Sequence, residues 1–272
     1  MLDEAVVVYP GGVHERGILA PSSTNAAPAL AAGRNDERIY MSKHASSHSH
    51  LVAGLVAGAS LLGATGIVLA AVAAGDVTTW PQYRIAVGAH SATVVSGTTG
   101  TKPKAGFTTI SQRGFRLAFD ASAEYVLTNP TEPADQFDWN KLPGLSDCGS
   151  LDLSQNGFMF GWRWRTDLTP RVLEVTAYWN RAGVHLNAPE PMVVLSAAEV
   201  ESGVPLTYSE KIVGSTYEFR ITGVIGGRSI DATATGTRNC SGSTTGLKWA
   251  SGLYFGGTST APQVITARVT EP

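Results

Sequence analysis

The sequence feature that most constrains the fold is a strict two-residue alternation of side-chain type, sharpest in the segment GFMFGWRWR at 157–165. Successive side chains of a β-strand point to opposite faces, whereas a helix would scatter the same residues around its axis. One predicted face carries the aromatic residues Phe158, Phe160, Trp162 and Trp164, and the other carries Met159, Gly161, Arg163 and Arg165. The aromatic face predicts a core between two sheets, with the two arginines pointing outward.

The same alternation recurs along the rest of the chain. Further candidate strands are 82–88, 115–119, 172–179, 205–213, 217–222, 228–235, 246–255 and 263–269. Clusters of Gly, Pro, Asn and Ser separate them, and only 196–203 could form one or two helical turns. Many short strands without alternating helices predict an all-β fold, either a sandwich or a barrel.

Residues 51–75 form an uncharged stretch that is long enough to span a bilayer, which needs about 20 apolar residues. The polar, mildly basic segment that begins at Met41 precedes it, so the pattern over 41–75 predicts a secretory signal peptide; an uncleaved N-terminal membrane anchor is the alternative. Residues 1–40 show no sustained period and are interpreted either as mis-called upstream sequence or as a disordered tail. We expect an extended arm or first strands at 76–103 and the β-sandwich at 104–272.

The charge balance argues against a nucleic-acid partner. The chain has 20 Lys and Arg against 22 Asp and Glu, and only 15% of its residues are charged. A nucleic-acid-binding protein needs many cations to neutralise phosphates, so no nucleic-acid partner is predicted. A membrane is contacted only through 51–75, if that segment is not cleaved. The 43% of hydrophobic residues is enough to form a core.

The two cysteines, Cys148 and Cys240, both follow the apolar stretch. An even number of cysteines in an exported chain predicts one disulfide, which would close a loop of about 90 residues. No Cys-x-x-Cys spacing is present, and only His90 and His185 follow residue 75, so neither a metal site nor a cofactor is predicted. We expect a secreted or cell-surface protein.

The outward faces of two predicted strands suggest a binding groove. In the segment 246–255, Lys248 and Tyr254 alternate with apolar residues and share a face with small side chains that leave room for a ligand. We expect one sheet face to carry the ligand-binding residues Arg163, Arg165, Lys248 and Tyr254, with Tyr178 nearby. Such a cluster of cations needs an anionic partner, either a ligand or the internal carboxylates of Glu174 and Glu218. An ordinary solvated sheet face is the alternative interpretation.

Three segments carry a resemblance to a known family: NKLPGLSDCG at 140–149, GFMFGWRW at 157–164 and GLKWASGLYFGGTSTAP at 246–262. They resemble a family of exported bacterial proteins over roughly residue 104 to the end. That family is similar to concanavalin-like jelly rolls, which include lectin-like modules and polysaccharide lyases. The resemblance implies the fold, a two-sheet antiparallel β-sandwich of the jelly-roll type, more than any activity.

The likeness to alginate-lyase-like jelly rolls is partial. Those lyases carry a strand that reads Lys-Ala-Gly-x-Tyr, whereas here Lys248 and Gly252 are four residues apart instead of two. Those lyases also carry an Arg-x-Glu-x-Arg strand, where this chain has only Arg-Trp-Arg at 163–165, without the Glu. Their Gln-x-His motif corresponds here to Gln-Asn-Gly at 155–157.

Three functions follow from these observations. A glycan-binding module needs aromatic platforms outside the core, for which the candidates are Trp80, Trp139, Tyr178 and Tyr254. A polysaccharide lyase needs cations for the uronate carboxylate and a proton-transfer group, for which Tyr254 and His185 are the catalytic candidates. A structural or adhesive surface protein without catalysis is the third interpretation. No hydrolase, phosphate-loop or dinucleotide motif is present.

Overall fold

The structure, a computed structural model, describes residues 76–238, 240, 244 and 246–272. Within these residues the chain forms fourteen strands and one short helix. The strands are β1 (Gln82–Ile85), β2 (Ala92–Val95), β3 (Gly106–Thr108), β4 (Gln112–Phe119), β5 (Asn140–Ser146), β6 (Asn156–Arg165), β7 (Val172–Arg181), β8 (Val184–Asn187), β9 (Val193–Ser196), β10 (Leu206–Val213), β11 (Thr216–Ile225), β12 (Arg228–Thr237), β13 (Lys248–Ser251) and β14 (Ile265–Thr270). The helix is α1 (Ala197–Glu201), and single 3₁₀ turns lie at Val77–Thr79, Ala121–Ala123 and Asp135–Phe137.

The strands form two antiparallel sheets that pack face to face. Sheet A has the order β12-β11-β10-β4-β14-β1-β2. Sheet B has the order β3-β13-β5-β6-β7-β8, and β9 pairs with β7 beside β8. One hydrophobic core takes side chains from both sheets. The predicted all-β, two-sheet sandwich is therefore confirmed.

The aromatic face of β6 lies in the centre of this core. All four of its aromatic side chains are buried, and Phe158 stacks on Tyr217 of sheet A with ring centroids 4.6 Å apart. Phe160 meets Phe115 and Tyr208 of sheet A in edge-on contacts. The predicted orientation of β6 is confirmed, and its other face, with Arg163 and Arg165, points away from sheet A.

A polar connection joins the two sheets at one end of the core. Arg113 of β4 is buried and forms an ion pair with Glu271. Its guanidinium also donates to the backbone carbonyls of Gly144 in β5 and Ser251 in β13, at 3.0 and 2.6 Å, and to that of Lys104 at 2.7 Å. The side chain therefore fixes the position of sheet B against sheet A.

The disulfide between Cys148 and Cys240 is present, with the Cα atoms 5.6 Å apart. It links the segment after β5 to the segment after β12. Beside it, Arg238 and Asp147 form a buried ion pair, and Tyr217 donates a hydrogen bond to the same carboxylate. In the described part of the chain, Asp147 and the two cysteines are the one group of potential metal ligands close together, and both sulfurs are used in the disulfide.

The expectations for the N-terminal region fall partly outside the described residues. The predicted segments 1–40 and 41–75 lie there entirely. Residues 76–103 contribute β1 and β2, and β1 pairs with β14 inside sheet A. Among the residues that the structure describes, no helix is long and apolar enough to cross a membrane.

Candidate functional site

A pocket of about 510 Å³ lies on the outer face of sheet B, which we call the sheet B pocket. Its floor is formed by Met159 of β6, Tyr178 of β7 and Leu153, which pack together outside the main core. Its polar lining comes from four neighbouring segments and includes Lys141, Tyr178, Asn180, His185, Asn187 and Tyr254. Aromatic, amide, imidazole and ammonium groups therefore meet in one concave site, as is typical of small-molecule sites.

A β-bulge in β5 places Lys141 in this pocket. Lys141 pairs with Gly161 of β6 and Gly144 pairs with Met159, so β5 has one residue more than β6 between these pairs. The extra residue reverses the alternation, because a bulge re-aims the side chains that follow it. Lys141 and Gly144 consequently both lie on the outer face, although their spacing of three would put them on opposite faces of a regular strand.

The chain after β13 follows β5 through the same irregularity. Ser251 pairs with Gly144, and Tyr254 forms a bridge with Lys141. The two residues of that bridge exchange both backbone hydrogen bonds, at 2.8 and 2.9 Å. Directly opposed residues have their side chains on the same face, so Lys141 and Tyr254 project together into the pocket.

Two glycines after Tyr254 make room for the charged groups of the pocket. A Cβ atom at Gly256 would lie 2.2 Å from the backbone oxygen of Trp139 and 2.9 Å from Lys141 Nζ. A Cβ atom at Gly257, whose φ is +75°, would lie 2.6 Å from a carboxylate oxygen of Asp138. The two glycines of the Tyr-Phe-Gly-Gly sequence are therefore required, because the segment 138–141 lies too close to leave room for larger residues.

Lys141 is the cation of the pocket. Its Nζ lies 5.0 Å from the ring centroid of Tyr178, and among the described residues it makes no hydrogen bond or salt bridge. Burial lowers the pKa of Lys141 to about 8, and the carboxylate of Asp138 partly opposes this shift. At neutral pH the ammonium is charged and has hydrogen-bond donors to offer to a ligand.

His185 is held in one tautomer by Asn180. The two residues are opposed on β8 and β7, and His185 Nδ1 lies 2.6 Å from Asn180 Oδ1. The amide nitrogen of Asn180 donates to the carbonyl of Leu153 at 2.7 Å, which fixes the amide oxygen toward the imidazole. Nδ1 therefore carries the proton, and Nε2 of the neutral ring is left with a lone pair. Burial and the charge of Lys141 lower the pKa of His185, which favours the neutral ring.

The pKa values of the two tyrosines and of Asp138 in the pocket are raised. Burial raises the pKa of Tyr178 and that of Tyr254, so both phenols keep their protons at neutral pH. Tyr254 stacks on His90, with ring centroids 5.3 Å apart. Burial also raises the pKa of Asp138, against the opposing effect of Lys141.

The predicted arginines lie on the outer face of sheet B, but neither lines the pocket. Arg163 and Arg165 both bind Glu174, which is the internal carboxylate expected from the parity of β7. Trp139 lies over Arg163, with the guanidinium carbon 4.0 Å from the ring centroid, and separates it from the pocket. Arg165 also binds Asp167. Their charge is therefore balanced within the protein.

The expectation that Lys248 shares this face is wrong. Lys248 is only 1% exposed, and it lies on the same side of β13 as the core residue Ala250. Its ammonium donates to the backbone oxygens of Thr244 and Gly246. Because the alternation breaks after Ser251, Tyr254 lies on the outer face although a regular strand would place it beside Lys248.

The other candidates divide between the two sheets. Tyr178, Tyr254 and His185 all line the sheet B pocket, as does Trp139. Trp80 is buried under Arg116 of sheet A, with the guanidinium carbon 4.9 Å from the ring centroid, and is not part of the pocket. Glu218 pairs with Lys211 within sheet A instead of with an arginine of β6.

Sequence reasoning missed Lys141 and Asn180. The signal for Lys141 was a single charged residue in the otherwise uncharged segment NKLPGLS at 140–146. Asn180 follows the alternation of β7, since residues 174, 176, 178 and 180 share its outer face. A polar residue at an outward position gave no reason by itself to assign it a role.

No protein-family model and no curated protein matches this sequence. Among solved structures, the chain is similar to an alginate lyase from Klebsiella pneumoniae, with 11% sequence identity and a TM-score of 0.26. The match covers 62% of this chain and 60% of that lyase, so the chain spans less than two thirds of the lyase's length. The function proposed below rests on the residues of the pocket.

Proposed function

We propose that the protein binds a polysaccharide that carries carboxylate groups, and that the sheet B pocket holds one of its uronate residues. The observation that carries this proposal is Lys141, a cation without a salt bridge among the described residues, placed between Tyr178 and Tyr254. An ammonium in a partly desolvated pocket favours an anionic ligand, because charge-assisted hydrogen bonds are stronger there than in water.

The remaining lining suits a sugar ring. Aromatic side chains provide apolar surface for the C–H groups of the ring, and the imidazole of His185 and the amide of Asn187 provide polar atoms next to it. The pocket volume of about 510 Å³ lies in the range of small-ligand sites, so it is large enough for one or two rings.

Binding of alginate and of neutral dextran, measured by calorimetry, tests the proposal. We expect Lys141→Gln to weaken alginate binding about tenfold or more, the equivalent of one charge-assisted hydrogen bond. Lys211→Gln removes the same charge from an exposed residue of sheet A and should bind as the wild type does. Unchanged affinity in Lys141→Gln, or equal binding of dextran and alginate by the wild type, would show that the proposal is wrong.

The second candidate function is β-elimination on the same polysaccharide, and the tautomer of His185 favours it. In this reaction a base removes the proton on C5, the electron pair forms the C4–C5 double bond, and the bond from C4 to the glycosidic oxygen breaks while an acid protonates that oxygen. His185 Nε2 has the lone pair that the base needs, and its lowered pKa keeps it unprotonated. The raised pKa of Tyr254 keeps its phenol protonated, so this residue has a proton to give to the leaving oxygen.

Lys141 would hold the carboxylate of the reacting uronate and stabilise the charge that develops when C5 loses its proton. Asn180 would act as a positioning residue, since it fixes the imidazole of His185. The ultraviolet absorbance of the unsaturated product during incubation with alginate or glucuronan tests this candidate. Tyr254→Phe should stop turnover and keep binding, whereas wild-type binding without any product would leave the protein a binding module.

We also propose that the protein acts outside the reducing cytosol. The disulfide between Cys148 and Cys240 supports this, because such bonds persist in oxidising compartments. Mass spectrometry after alkylation of the native protein from culture medium or cell surface should find neither thiol modified. Alkylated cysteines in that material would contradict export in a folded, oxidised form.

A further inference from the structure

We propose that Phe107 and Trp249 form a second sugar-binding subsite beside the sheet B pocket, so that the ligand is the interior of a polysaccharide chain and not a single terminal residue. This inference rests on the proposed function. We call these two residues the aromatic platform. They are opposed on β3 and β13 and meet edge to face, with ring centroids 5.1 Å apart.

The platform is open to a ligand. Phe107 is 63% exposed and Trp249 is partly exposed, at the edge of sheet B where β3 is the last strand. A large aromatic side chain that stays in water gives up stabilisation that burial would provide. The exposed ring of Phe107, with the partly exposed ring of Trp249 at right angles to it, forms an apolar surface that a sugar ring can cover.

The platform is also continuous with the pocket. Trp249 packs against the cluster of Leu153, Met159 and Tyr178 that forms the pocket floor. Ser251, two residues after Trp249 on the same face of β13, lines the pocket itself. On the outer face of β13, the residue next to Trp249 is therefore already part of the pocket lining.

The spacing sets the size of the ligand. From β13 to β8 the sheet has four strand intervals of about 4.8 Å, so Trp249 lies about 19 Å across the strands from His185 of β8. One sugar ring cannot contact both ends. A chain that crosses the strands would place one ring on the platform while the carboxylate of another meets Lys141.

Binding of uronate oligosaccharides of increasing length tests the inference. We expect the wild type to bind a hexasaccharide more tightly than a disaccharide. Phe107→Ala should weaken hexasaccharide binding about threefold to tenfold, the equivalent of one aromatic contact, and leave disaccharide binding unchanged. Because Phe107 is exposed, the melting temperature of the variant should equal that of the wild type.

Two further variants separate the possible results. Lys141→Gln should weaken binding at every length, and Val224→Ala, at an exposed apolar residue of sheet A, should change none. Wild-type hexasaccharide affinity in Phe107→Ala overturns the platform while the proposed function stands. Failure of the wild type to bind any of the oligosaccharides overturns the proposed function and the platform with it.

Discussion

At the scale of single residues, the interior of the sandwich holds a carboxyl group without a hydrogen-bond partner. Glu210 of β10 is buried opposite Arg113, and neither of its oxygens has a partner within the described residues. Arg113 makes five hydrogen bonds, to Glu271 and to three backbone carbonyls, so its donors are already used. Burial therefore raises the pKa of Glu210 well above its ordinary value, and Glu271 adds to the shift.

This raised pKa gives a prediction for stability. A carboxyl group that holds its proton more tightly in the folded state makes folding less favourable as the pH rises from the unfolded pKa to the folded pKa. We expect Glu210→Gln, which cannot ionise, to be more stable than the wild type at the upper end of this window and to have a flatter pH dependence. Urea unfolding between pH 4 and 9 measures both. Glu218→Gln, at a partly exposed residue of sheet A, is the control and should keep the wild-type profile.

Lys141 gives a second prediction at this scale. Its pKa of about 8 means that the ammonium loses its proton as the pH rises above that value. The affinity for alginate should be constant around neutrality and fall above pH 8. A bound carboxylate raises the pKa of the lysine, so the alginate complex should lose this proton at a higher pH than the free protein does. Calorimetric titrations of the wild type and Lys141→Gln test this. A fall of the same size in the variant would assign the titration to another group.

At the scale of elements, the aromatic face of β6 is the centre of the core. Trp162→Ala should reduce the free energy of unfolding by about 3–5 kcal/mol, through lost burial and the cavity that remains. Val194→Ala, at an exposed residue of the neighbouring β9, should change it by less than about 0.5 kcal/mol. Chemical denaturation of both proteins measures the difference. Near-neutral Trp162→Ala would contradict the assigned faces of β6.

Side-chain alternation predicts the faces of regular strands but not those of a strand with a bulge. β6 and β7 are regular and pair without interruption from residue 156 to 165, so their alternation correctly assigned the aromatic core and Tyr178. β5 contains a bulge, and the segment 248–254 follows it, so the same rule failed for the pair Lys248 and Tyr254 and gave no indication of the position of Lys141. A bulge depends on the register between strands that are distant in sequence, and local alternation does not contain that information.

At the scale of the whole molecule, one covalent bond ties the two sheets together. The disulfide closes a loop of 92 residues that includes most of sheet B and three strands of sheet A. The double substitution of Cys148 and Cys240 by Ser should lower the free energy of unfolding by about 4–5 kcal/mol in the chain-entropy model. Thermal unfolding of this variant and of the reduced wild type should agree. A loss below about 1 kcal/mol would show that the unfolded chain is restricted by other means.

The position of β14 determines when during synthesis sheet A can form. β14 lies between β4 and β1 in sheet A, yet about 150 residues are synthesised between β4 and β14. At 5–20 residues per second a ribosome needs roughly 7–30 s to supply that partner. Until then sheet A is divided, with β1 and β2 separated from β4, so a nascent chain cannot close its sandwich. The polypeptide therefore reaches its complete two-sheet fold only after β14 has been synthesised, however early the strands of sheet B have formed.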